Sequence, residues 1–104
     1  MLRERGKQMC EADLGNLSVI LPSYNERDNI AELIARLRQA LGQEAEILVV
    51  DDDSPDGTWQ VVERLQRKDS NLLLLRRTEE RGLTSALCAG IAHARGEAIA
   101  WMDC

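Results

Sequence analysis

Acid gathers at three places in this chain. Glu26 closes the run Pro22-Ser23-Tyr24-Asn25-Glu26, the triplet Asp51-Asp52-Asp53 is followed closely by Asp56, and Asp103 stands alone. Carboxylates repel a bare diphosphate, yet they accept hydrogen bonds from ribose hydroxyls and base N–H groups. They also hold divalent cations that bridge to phosphate. Tyr24 adds a ring against which a base can stack. Together these residues describe a nucleotide held by its base and sugar, with its phosphates neutralised by a metal. A plainer account fits them too, since Asp is favoured in Asx turns and at helix N-termini. Arg76, Arg77 and Arg81 either form a solvated turn or bring positive charge near a phosphate. The glycine-rich cradles that bind phosphate directly, G-x-G-x-x-G and G-K-S/T, are missing.

The elements that must position these residues alternate in kind. Leu17 to Leu21 is short, apolar and β-branched, and Pro22 stops it, so it reads as a buried strand. Ile30, Leu33, Ile34, Leu37 and Leu41 recur at helical spacing, with charges between them, up to Gly42. Asp28 or Asn29 is placed to cap that helix. Ile47 to Val50 is a second strand, and Ser54-Pro55-Asp56-Gly57-Thr58 is turn chemistry before a helix from Thr58 to Lys68. Leu72 to Leu75 makes a third strand. Leu83, Leu87, Gly90, Ile91 and Ala94 mark a third helix, and Ala98 to Met102 a fourth strand. His93 falls late in that helix, where a solvated or dipole-stabilised imidazole is expected, so it receives no catalytic role.

Strands separated by helices imply a parallel sheet with right-handed crossovers, and uninterrupted apolar strands are those covered on both faces. The expected fold is α/β, a Rossmann-like three-layer sandwich with a mainly parallel sheet in strand order 3-2-1-4. Ligands of such sheets bind outside the carboxyl ends of strands where the order reverses. Pro22 to Asp28, Asp51 to Thr58 and the segment from Asp103 therefore meet at one crevice.

Composition bounds the partners. The chain has 104 residues and a formal charge of −5, which argues against a nucleic-acid backbone as partner. No apolar run reaches the roughly 18–20 residues that span a bilayer. With two Trp, one Tyr and no Phe, the core must be aliphatic. Cys10, Cys88 and Cys104 are widely spaced and form no C-x-x-C pair, so they read as free thiols of a reducing cytosol. Met1 to Asn16 is polar, lacks the apolar stretch of a signal peptide and reads as a flexible lead to one unit over residues 17–104.

The motifs resemble those of a known family. Val19 to Glu26 resembles the opening P-x-Y-N-E motif of family-2 glycosyltransferases, and Val49 to Thr58 resembles their second motif. The S-P-D-G-T ending is similar to the dolichyl- or polyprenyl-phosphate mannosyltransferase branch. Arg81 to Leu87, with Gly90-Ile91 and Ala94-Arg95-Gly96, resembles the next block. Trp101-Met102-Asp103-Cys104 resembles the strand leading into D-x-D. The resemblance implies a glycosyltransferase A-type fold whose nucleotide-sugar pocket is lined by Pro22, Tyr24, Glu26, Val49, Asp51, Asp103 and Cys104. It implies a base contact from the Asp51 carboxylate, and Asp103 as a ligand of Mg2+ or Mn2+. It implies mannose transfer from GDP-mannose to a lipid phosphate, by an enzyme peripheral to the cytoplasmic membrane face. No residue is assigned as a general base, because an acceptor phosphate is already ionised.

Since the second aspartate of D-x-D is not in the chain, the expectation is a nucleotide-binding half with no transferase activity alone, able to self-associate through an open sheet edge. Two alternatives stand beside this reading. One is a non-catalytic nucleotide-binding module. The other is a response-regulator receiver, which Ile47 to Asp53 also resembles, with Asp103 as the phosphorylated residue. The receiver pattern begins with that strand and leaves Leu17 to Gly42 unexplained.

Overall fold

The computed structural model describes residues 16–79 and 82–102. Four strands and three helices alternate: β1 (Leu17–Ser23), α1 (Ile30–Leu41), β2 (Glu46–Asp51), α2 (Thr58–Gln66), β3 (Leu72–Arg76), α3 (Leu83–His93) and β4 (Ala98–Trp101). The sheet is parallel in the order β3-β2-β1-β4, which is the expected one. Ser18 stands opposite Glu46 and Ser23 opposite Asp51, so β1 and β2 run level to the carboxyl edge.

Side chains of a strand alternate between faces, and the core divides accordingly. Val19, Leu21, Ile47 and Val49 pack with Ile30 and Ile34 of α1 and Val62 of α2. Ile20, Leu48 and Val50 pack with Ala86 of α3 on the opposite face. The result is three layers, α1 and α2 on one side and α3 on the other. On the α3 side, Gly90 lets the helix lie close, since a Cβ there would meet Ile20 Cγ2 at 2.6 Å.

Two polar anchors hold the layers. Arg38 of α1 is buried and donates through Nε and Nη2 to both carboxylate oxygens of Asp69, at 2.7 and 3.0 Å. Its Nη1 donates to the Gly42 and Ala45 carbonyls, so one guanidinium ties the end of α1 to the α2–β3 connection. Glu46, at the amino edge, accepts from Ser18 Oγ, the Arg95 amide and Arg95 Nε. That network fastens the α3–β4 connection to the sheet.

Three local expectations are corrected. Pro22 does not end β1, which continues to Ser23. The Ile20 carbonyl accepts from Met102 N, so Ile20 and, two residues on, Pro22 turn their backbone groups toward β4. Among the described residues β4 pairs with β1 as far as Ile20, and Pro22, which carries no N–H, lies beyond that pairing. Asn29 holds the cap position of α1, but its side chain makes no capping bond and donates instead to Glu26 Oε1. The helix begun at Thr58 ends at Gln66 rather than Lys68.

Strand β4 pairs with β1 alone, all four of its residues are exposed, and its outer edge carries no strand among the described residues. His93 is the last residue of α3, exposed, with Nδ1 2.9 Å from the Ala89 carbonyl. Cys88 is exposed and unpaired. Cys10 and Cys104, like the lead from Met1 to Gly15, lie outside the described residues.

Candidate functional site

A cavity of ≈ 350 Å³ opens at the carboxyl edge of the sheet on the α3 side. The end of β1 supplies Pro22 and Tyr24, the β2–α2 loop supplies Asp52, and the start of α3 supplies Gly82, Leu83 and Ala86. Its volume is at the lower end of the roughly 300–1,000 Å³ usual for ligand pockets. Tyr24 is 47% exposed and sits on the rim.

Asp52 forms the polar wall. Its Oδ1 accepts from Arg77 Nε at 2.7 Å and its Oδ2 from the Gly82 amide at 2.9 Å. Arg77 also donates to Ser85 Oγ and, through its own amide, to the Asp51 carbonyl. One carboxylate thereby fixes the chain after β3 against the start of α3. An ionised carboxylate offers about four acceptor positions, so Asp52 keeps capacity for a ligand N–H or O–H.

Asp51 serves a different place. It is fully buried, and its carboxylate accepts from Ser23 Oγ (2.9 Å), Ser54 Oγ (2.6 Å) and Ser54 N (2.9 Å). The cause is strand parity: residues 47, 49 and 51 share the α1 face, whereas Pro22 shares the α3 face with Ile20. Val49, also fully buried, lies in the α1-side core for the same reason. The structure therefore brings Pro22 and Tyr24 together at the cavity, with Asp52 beside them, and does not bring the side chains of Val49 and Asp51 there. Glu26 is half-buried at the entry to α1, where its carbonyl accepts the Asn29 and Ile30 amides. Asp103, Cys104 and Arg81 lie outside the described residues.

The loop after β1 is shaped by the Ser54–Thr58 turn. Consecutive amides of Asn25, Glu26 and Arg27 donate to Ser54 Oγ, Thr58 Oγ1 and Asp56 Oδ2 at 2.9, 2.9 and 3.1 Å. Partial burial of Asp56 raises its carboxyl pKa, but hydrogen bonds from Thr58 and from the Arg27 amide outweigh that and hold it below the ordinary value. Asn25 and Asp53 adopt left-handed φ of 57° and 56°, which short polar side chains tolerate better than others. Asp53 pairs with Arg76 at 2.6 Å, and that guanidinium lies 3.8 Å over the Trp59 ring.

Sequence reasoning missed Asp52 and Arg77 as a pair. Their adjacency is set by the β2–β3 register, in which Asp51 stands opposite Arg76. Among the described residues, no group of three or more His, Cys, Asp or Glu side chains is set to hold a metal ion. None of the described helices is long and apolar enough to cross a membrane.

Comparison with known proteins gives the arrangement a context. The family model for glycosyl transferase family 2 matches residues 18–104. A dolichol-phosphate mannosyltransferase of Pyrococcus furiosus is 48% identical over 88 residues, which is 84% of this chain and 25% of that protein. The Saccharomyces cerevisiae protein of the same name is 39% identical over 90 residues, covering 83% of this chain and 34% of its own length. Among solved structures, a mannosyltransferase from Pyrobaculum calidifontis in complex with GDP-Man and Mn2+ is similar, with a TM-score of 0.74 and 36% identity. That match covers 85% of this chain and 27% of that one. Staphylococcus aureus TarS in complex with UDP-GlcNAc is also similar, with a TM-score of 0.68, 32% identity and coverage of 85% and 26%. This chain thus spans between a quarter and about a third of the curated relatives' length.

Proposed function

The chain belongs to glycosyl transferase family 2, and from that premise we propose that it is the nucleotide-sugar-binding part of a mannosyltransferase. The donor is GDP-mannose and the acceptor a polyprenyl (dolichyl) phosphate at a membrane face. The observation that carries this reading is the carboxyl-edge cavity, where Pro22, Tyr24 and Asp52 meet the start of α3. Tyr24 supplies a ring for the base and Asp52 a carboxylate for its N–H groups. Guanine presents adjacent N–H donors and suits such an acceptor well. Identity of 48% to a dolichol-phosphate mannosyltransferase supports mannose and a lipid phosphate over the GlcNAc of TarS.

In the proposed reaction the acceptor phosphate oxygen attacks the anomeric carbon of mannose. The bond from that carbon to the diphosphate breaks, and GDP leaves with the electron pair. The acceptor is an anion already, so no proton needs removing from it. A divalent cation, when bound, stabilises the leaving diphosphate, and Asp103 is the residue expected to touch it. The described residues complete no such site by themselves. What they do is hold the nucleoside: Asp52 and Tyr24 orient the base, and Arg77 holds Asp52 in place.

The chain spans only part of its relatives, so binding is the activity to test. Calorimetry of the 104-residue chain with GDP, and separately with UDP, should show saturable GDP binding tighter than UDP binding. Binding of neither nucleotide would remove the reading. Tighter UDP binding would move the donor to a uridine sugar. Mannose transfer by the chain alone, with lipid phosphate and Mn2+, is not expected. The receiver alternative is set aside by the family match and by the helix and strand that precede Glu46.

A further inference from the structure

The turn Ser54-Pro55-Asp56-Gly57-Thr58 lines only part of the carboxyl edge, yet it makes an unusual set of bonds. Three successive amides of the β1–α1 loop donate to three side-chain oxygens about thirty residues further along the chain. The direction of each proton is determined. An ionised carboxylate only accepts, so the Thr58 hydroxyl donates to Asp56 Oδ1 at 2.5 Å and must accept from the Glu26 amide. The Ser54 hydroxyl likewise donates to Asp51 and accepts from the Asn25 amide. Each hydroxyl passes the polarity of a carboxylate on to a backbone N–H, and Asp56 reaches the Arg27 amide directly. Tyr24 lies between the two ends of this arrangement, with Ser23 bonded to Asp51 on one side and Asn25 to Ser54 on the other.

We propose that Asp56 and Thr58 are positioning residues of the nucleotide pocket, which fix the Tyr24 loop through the amides of Glu26 and Arg27 and so set nucleotide affinity without touching the nucleotide. The inference rests on the nucleotide reading above. Thr58 is fully buried, out of reach of a ligand, and Asp56 accepts from Thr58 through Oδ1 and from the Arg27 amide through Oδ2. The same loop begins α1 through the Glu26 carbonyl, so its placement is coupled to that helix as well.

The test compares the wild-type chain with Thr58→Val, Thr58→Ser and Asp56→Asn. Valine keeps the shape of threonine and removes the hydroxyl, whereas serine keeps the hydroxyl. Three quantities are read: the melting temperature, amide exchange of Asn25 to Arg27, and the Kd for GDP at a temperature where circular dichroism shows each variant fully folded. Thr58→Val should speed exchange at Glu26 and weaken GDP binding about tenfold, and Thr58→Ser should restore both. Asp56→Asn, which turns an N–H donor toward the Arg27 amide, should weaken GDP about threefold and serves if the valine variant does not fold. A merely structural role would lower the melting temperature and leave the Kd of the folded protein unchanged, and that result overturns the proposal. Failure of the wild type to bind GDP or UDP overturns the nucleotide reading, and the positioning role falls with it.

Discussion

Replacing Arg77 by methionine tests whether the cavity wall is held by an ion pair. Arg77 and Asp52 are 2.7 Å apart with side-chain exposures of 9% and 10%, so solvent screens them little. Removing one member of a buried pair costs about 3–5 kcal/mol, because the other charge loses its compensation. Asp52 keeps the Gly82 amide, which places the expected loss near the lower end, about 3 kcal/mol. For a domain of this size that corresponds to a fall in Tm of roughly 12–24 °C. The double variant Asp52→Asn with Arg77→Met removes both charges while retaining an acceptor for Gly82. It should be more stable than Arg77→Met alone by about 1 kcal/mol or more. Urea denaturation followed by circular dichroism measures all four members of the cycle. A loss below about 1 kcal/mol for Arg77→Met would refute the reasoning. Additivity of the two single changes would refute it equally, since residues that do not interact show no coupling.

Other perturbations read other parts of the same frame. Gly90→Ala should destabilise the chain by about 1–3 kcal/mol in the same urea assay, because the added methyl meets the fully buried Ile20. Unchanged stability would mean that α3 shifts freely. Arg38→Met should cost about 3–5 kcal/mol by leaving Asp69 without its two guanidinium bonds, and a neutral effect would show that the α2–β3 connection does not need them. Acid should unfold the chain in a defined way. Glu46 is pushed up by burial but held below its ordinary 4.5 by the Arg95 amide and guanidinium and the Ser18 hydroxyl. A carboxyl lowered on folding stabilises above its unfolded value and loses that contribution as pH falls through its folded value. Stability should therefore be level near neutral pH and decline below 4.5, with Asp56 adding to the loss below 3.8. Glu46→Gln should remove the upper part of that decline, and a decline unaltered by the substitution would assign it to other groups.

All seven elements were legible because each rests on a local pattern, and the sheet has the expected order. Apolar runs mark the strands, and the spacing from Ile30 to Leu41 marks the first helix. What was not legible depends on partners distant in sequence. The continuation of β1 through Pro22 follows its pairing with β2, in which Pro22 stands opposite Val50 and Ser23 opposite Asp51. Arg76 and Arg77 could be placed at the right edge, but not against Asp53 and Asp52, until the register of β3 on β2 was known. Of the expected site residues, Pro22 and Tyr24 line the cavity, whereas the side chains of Val49 and Asp51 lie buried on the α1 side of the sheet. Period-two reasoning contained that signal, because Ile20 and Pro22 share a face and Pro22 stands opposite Val50.

Parity also explains how three consecutive aspartates come to do three different things. Asp51 continues the α1-side row of β2 and is consumed inside the protein by Ser23 and Ser54. Asp52 turns to the other side and walls the cavity with Arg77. Asp53, where the backbone enters the left-handed region, reaches outward to Arg76 over Trp59. Two of the three carboxylates thus carry an arginine counter-ion, and the third is satisfied by hydroxyls and an amide. The crevice is accordingly far less acidic than a row of aspartates suggests. Asp52 and Asp53 stand there in ion pairs rather than as bare carboxylates. The triplet then works chiefly as scaffolding for the neighbouring loops, and of its three carboxylates it is Asp52 that lines the cavity where the nucleotide is proposed to bind.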